Sequence, residues 1–88
     1  MGLIRDRHVG RFRDHTIEIV EDGVAKRVTL YIDGDKVAGE SCILPQEIVL
    51  TGTLADHDVE AKVVVRFLRN SQVSLEVAGE AIPLEKGG

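Results

Sequence analysis

One cysteine, two prolines, one tyrosine, two phenylalanines and no tryptophan stand among the 88 residues of this chain. A lone cysteine, Cys42, excludes an internal disulfide and every multi-cysteine zinc or iron–sulfur site, and it fits a reducing cytoplasm. With only Phe12, Tyr31 and Phe67 as aromatics, the core must be filled by branched aliphatics. No apolar run reaches the roughly eighteen residues of a spanning helix, and Arg5 and Asp6 interrupt the stretch a signal peptide would need. A soluble, unexported, cytoplasmic protein with no membrane contact is therefore expected. The net charge of −4 supplies no basic field, which disfavours nucleic acid as a partner. A second core would need roughly another hundred residues, so residues 1–88 read as a single β domain.

No window shows the i, i+3, i+4, i+7 spacing of an amphipathic helix, whereas from Asp14 onward apolar residues recur at every second position. The pattern predicts an all-β fold. His15, Ile17 and Ile19 line one face of a first strand that ends at Glu21-Asp22-Gly23, and Val28, Leu30 and Ile32 line the returning strand. A four-residue loop from Asp22 to Ala25 would set Ile19 opposite Val28, Ile17 opposite Leu30 and His15 opposite Ile32. Asp33-Gly34-Asp35 is a second turn, and a third strand, Lys36 to Ile43, stops before Pro45.

A two-residue turn at His57-Asp58 would set Leu54 opposite Ala61, Gly52 opposite Val63, Leu50 opposite Val65 and Ile48 opposite Phe67. Gly52 then leaves a gap across from Val63, the mark of a bulge or bend. The reverse face of that hairpin carries an apolar spot of Val49, Val64 and Leu68. Val73, Leu75 and Val77 form a further strand, and Ala81 to Leu84 a last one, which Pro83 confines to an edge. Residues 1–13 read as an arginine-rich arm that docks on a sheet edge or a neighbouring subunit, and residues 85–88 as a flexible tail.

The two halves overlay. Val28 to Ile32 matches Val73 to Val77, Gly34 matches Gly79, Val37 matches Ile82, and Ile17 to Ile19 coincides with Val63 to Val65 if one residue is skipped. Two three-stranded units would cover each other's apolar faces as a small antiparallel β-sandwich or flattened barrel of about seven strands. Its expected core is Ile17, Ile19, Val28, Leu30, Ile32, Ile48, Leu50, Leu54, Val63, Val65, Phe67, Leu75 and Val77. Leu30-Tyr31-Ile32-Asp33-Gly34, a strand running into an Asp-Gly turn, is similar to hairpins in the β-sandwich of the Fas apoptotic inhibitory molecule family. That resemblance implies the sandwich alone, and no function is carried across.

Catalytic patterns fail one by one. His8, His15, His57 and Cys42 are a nominal metal-ligand set without ligand spacing, so no metal or other cofactor is expected. Asp56-His57-Asp58 reads as turn chemistry. Gly39-Glu40-Ser41-Cys42-Ile43 has isoleucine where a nucleophile elbow requires glycine. Glu18, Glu40, Glu60 and Glu76 fall on outward strand positions, where carboxylates keep their ordinary solvation. Glycine fingerprints for nucleotides are missing, and Asp33 and Asp35 lack the further oxygens of a calcium loop.

Arg5, Arg7, Arg11 and Arg13, with Phe12 among them, are the candidate anion contacts. Elimination leaves a non-enzymatic binding or assembly domain that self-associates or takes a protein partner through Val49, Val64 and Leu68 or through Ala81, Ile82 and Leu84. Two alternatives stand beside it. One is ligand binding inside the sandwich; the other is a ubiquitin-like sulfur carrier using Gly87-Gly88, which demands a helix laid across the sheet.

Overall fold

The computed structural model describes residues 5–23, 26–41, 46–65 and 72–87. Alternation becomes strands throughout: β1 (Arg5–Phe12), β2 (His15–Asp22), β3 (Arg27–Ile32), β4 (Asp35–Ser41), β5 (Gln46–Leu54), β6 (His57–Val65), β7 (Gln72–Val77), β8 (Glu80–Ala81) and β9 (Glu85–Gly87). They form a five-stranded antiparallel sheet in the order β4-β3-β2-β1-β9 and a four-stranded one in the order β5-β6-β7-β8. The fold is all-β, with two antiparallel sheets packed as a small compact domain. None of the described residues is helical, and none lies in a helix long and apolar enough to cross a membrane.

Each sheet contains a four-stranded meander, β1 to β4 in one and β5 to β8 in the other, and the two correspond at their last turn. Asp33-Gly34 and Ala78-Gly79 both turn with positive φ, a conformation that matches the right-handed strand twist and favours glycine at the second position. In each, the first turn residue donates its N–H across to the second residue of the neighbouring hairpin: Asp33 to the Thr16 carbonyl and Ala78 to the Asp58 carbonyl, both at 2.8 Å. The match of Gly34 with Gly79 therefore extends to the turns, whereas Val37 lies in β4 and Ile82 lies beyond β8. In β2 and β6 the correspondence is different from the one expected: the turns align His15 with His57 and Ile17 with Val59, not Ile17 with Val63.

Strand registers also depart from expectation, always by an even step. Ile17 lies opposite Ile32 and Ile19 opposite Leu30, because the loop begins after Asp22, which pairs with Arg27. In the β5–β6 hairpin the turn is Ala55-Asp56, so Leu54 meets His57, Gly52 meets Val59, Leu50 meets Ala61 and Ile48 meets Val63. A two-residue period means that an even slip leaves every side chain on its own face. The expected core accordingly survives. Ile17, Ile19, Val28, Leu30, Ile32, Ile48, Leu50, Leu54, Val63, Leu75 and Val77 are buried, while Val65 is half-buried against them. Val59 and Ala61 join them, and Phe67 lies outside the described residues.

The described parts of the expected arm and tail are strands. Residues 5–12 are β1, paired along its whole length with β2, and residues 85–87 are β9, paired with β1. The alternation of His8, Gly10 and Phe12 with Arg7, Val9 and Arg11 had the period of a strand, but its inward positions hold a histidine and a glycine in place of aliphatics. The expected strand over residues 81–84 shrinks to β8. Beyond Ala81 the chain crosses to the other sheet, with Ile82 and Leu84 half-buried against the core and the Ile82 amide donating to the Leu75 carbonyl at 2.9 Å. Gly10 makes room for this crossing: a Cβ there would lie 2.9 Å from Leu75 Cδ2, 3.0 Å from Leu84 Cδ2 and 3.1 Å from Ile82 Cγ2. Its counterpart Gly52 faces Val37 in the opposite sheet, so the expected gap is filled from across the core and not by a bulge.

Candidate functional site

Among the described residues, four strands end the two sheets, and their exposed backbone decides which of them can accept another chain. β9 offers three residues, and β8 offers two before Pro83, which has no N–H to give. β4 is longer, but its ladder with β3 shifts register between Leu30 and Tyr31, and Asp35, Lys36 and Glu40 charge it. Bulges and charges of this kind blunt an edge against pairing. β5 is different. Its nine residues keep one register with β6 from Gln46 to Leu54, it carries no proline, and Glu47 is its one charged residue. That charge is matched by Lys62, 3.5 Å away on the same outer face.

Among the described residues, the large hydrophobics exposed to solvent are Val37 and Val49. Val37 is on β4 and Val49 on β5, the two edges that lie beside each other along one flank of the sandwich. No ladder joins those edges; the Gln46 side-chain amide donates to the Ser41 carbonyl at 3.0 Å where the two strands meet. The flank thus combines a long regular edge with apolar surface.

Of the contact residues expected from sequence, Val49 is exposed on this edge, and Val64 is half-buried on β6 between Glu47 and Gln72. Leu68 lies outside the described residues. Ala81 is exposed on β8, but Ile82 and Leu84 turn inward, so these three do not make one surface. Sequence reasoning missed the length of the free edge because strand order is invisible in a chain of hairpins.

Of the candidate anion contacts, Arg7 and Arg11 each stand beside a carboxylate. β1 carries Arg7 and Arg11 on its outer face, with Val9 between them, and Arg13 falls in the following turn. Arg7 pairs with Glu18 at 3.2 Å, while Arg11 lines a shallow surface cleft of about 270 Å³ with Val9, Pro83 and Glu85. Phe12 turns the other way, onto the core. Its ring takes the Arg13 guanidinium at 5.1 Å and the edge of His57 at 5.5 Å, closing one end of the sandwich.

Each histidine is held by a separate neighbour. His8 lies 3.2 Å from Glu21, and His57 makes a T-shaped contact with Phe12. His15 Nδ1 is 2.7 Å from Asp33 Oδ2, and the Thr16 N–H donates to Asp33 Oδ1 at 2.9 Å. Those two contacts, the histidine first, hold the Asp33 carboxyl below the ordinary carboxylate range. Together with the Asp33 N–H to Thr16 bond they latch the β3–β4 turn onto the start of β2. Ser41 is at the opposite end of the sheet, across from Arg27, so it does not meet this pair; Cys42 lies outside the described residues. No group of three metal-ligating side chains converges among the described residues.

No protein-family model matches the chain, and no curated protein or solved structure matches it.

Proposed function

We propose that this chain is a non-enzymatic binding and assembly domain that takes an extended strand onto the free edge of β5. The observation that carries the reading is the contrast among the four edges: three are short, bulged or proline-guarded, and the fourth is long, regular and nearly uncharged beside exposed Val37 and Val49. Strand addition gains its affinity from main-chain hydrogen bonds and its selectivity from alternate side chains, and β5 presents both. The outer face of the five-stranded sheet suits phosphate poorly, because Glu18 and Glu85 stand beside Arg7 and Arg11. A β-grasp carrier lacks its helix among the described residues, and Gly87 is paired into β9. The reducing cytoplasm is the setting that a single cysteine suits.

Amide hydrogen exchange resolved by residue tests the reading. Outward-directed amides of β5 should exchange quickly in dilute protein and slow as protein concentration rises or as an alternating Thr/Val nonapeptide is added. Unchanged β5 exchange under both conditions would rule out edge addition.

A further inference from the structure

We infer that the strand received by β5 is the β5 of a second copy, laid antiparallel about a two-fold axis through Leu50, so that two four-stranded sheets join into one of eight. This rests on the edge-addition reading and names its partner. The sequence of the edge carries the argument, because an isologous contact requires one segment to complement itself.

An axis perpendicular to the sheet through a residue sets positions of the same face opposite each other. Ile48, Leu50, Gly52 and Leu54 of both copies then remain on the inner side, and Glu47, Val49, Thr51 and Thr53 on the outer. Placing the axis at Leu50 pairs the whole strand, Gln46 against Leu54. Glu47 then meets Thr53 and Val49 meets Thr51, so β-branched residues face one another at the centre. No like charges are opposed, since the one charge on the edge meets a threonine and is already matched by Lys62 at 3.5 Å. An axis at Glu47 would instead oppose two carboxylates, and one at Val49 would leave Thr53 and Leu54 outside the β5–β5 ladder.

Pairing covers Val49, which is 45% exposed, and brings together the flanks that carry Val37, which is 42% exposed. It also consumes both free β5 edges. The remaining edges are guarded, so the assembly closes at two copies and does not grow into a filament.

The test uses the full chain. Light scattering across a concentration series should show the mass doubling and stopping there, and V49K/T51K should remain at the monomer mass. Both side chains are exposed, so circular dichroism should show V49K/T51K folded; if it is not, Thr51→Lys alone replaces it. Register is read by oxidation in a Cys42→Ser background: Val49→Cys mixed with Thr51→Cys should form a cross-linked dimer that neither forms alone. Equal cross-linking of Val49→Cys by itself would overturn the Leu50 axis, and a doubled mass retained by V49K/T51K would overturn the β5 edge. A monomer at every concentration would overturn the second copy. In that event, slowed β5 exchange with the Thr/Val nonapeptide would keep edge addition alive, whereas no slowing would end both readings.

Discussion

Gly10→Ala should destabilise the domain by about 1–2 kcal/mol, whereas the same change at its structural counterpart Gly52 should be close to neutral. A Cβ at position 10 would meet three methyl groups from three side chains at 2.9–3.1 Å, and one of them belongs to Leu75, which is only 2% exposed. Close-packed interiors resist such insertions at a cost of roughly 1–3 kcal/mol, and the lower chain entropy of alanine returns about 0.5–1 kcal/mol of it. At position 52 the nearest contact is 3.3 Å, to Val37, whose side chain sits at an open edge and can give way. The alanine gain then cancels most of the strain. For a domain of this size the predicted difference corresponds to a melting temperature lower by roughly 5–15 °C for Gly10→Ala, measurable by calorimetry or circular dichroism. Leu84→Ala removes one of the three methyls, so Gly10→Ala should cost less in that background, a coupling that a double-mutant cycle reads directly. Equal melting temperatures for Gly10→Ala and Gly52→Ala would refute the reasoning, because they would mean that the 82–84 crossing does not press on β1.

Two further outcomes follow from the turns. Asp33 is held below its ordinary pKa, so its contribution to stability is present above that ordinary value of 3.8 and is lost as pH falls through the lower folded value. In His15→Ala the carboxyl resonance of Asp33 should titrate at higher pH, and an unmoved midpoint would remove His15 as the cause. At the β5–β6 turn Ala55 and Asp56 have φ of 47° and 68°, which neither residue favours. Asn-Gly is the pair suited to that geometry, so Ala55→Asn with Asp56→Gly should raise stability by about 1 kcal/mol in thermal or urea melts, and a loss would show that the turn lies elsewhere.

Legibility followed the physics of each feature. The inward residues of β2, β3, β5 and β7 could be read directly, since alternation alone assigns a side chain to a face. Opposite neighbours could not. Ala55-Asp56 carries no glycine or asparagine to announce a positive-φ turn, so the sequence points to His57-Asp58 in its place, and the hairpin register differs by four in the pairing without disturbing a face. β1 was obscured because its inward positions are His8, Gly10 and Phe12, where polarity and missing volume conceal the period. Gly10 belongs there only because Ile82 and Leu84 arrive from elsewhere in the chain to fill its space. Of the proposed contact surface, Val49 was legible as an outward apolar residue on a hairpin.

By itself, then, the sequence determined that this protein is built of strands, which residues face inward, and that no disulfide within the chain holds them. Those properties are local: they depend on the two-residue period of a strand and on the number of cysteines. Tertiary structure alone decided which strand lies beside which, that β9 returns to β1, and that β5 is left as the long unguarded edge. Such choices are made by contacts between residues far apart in the chain, where any hairpin with the right parity is acceptable locally and only packing of the two sheets selects among them.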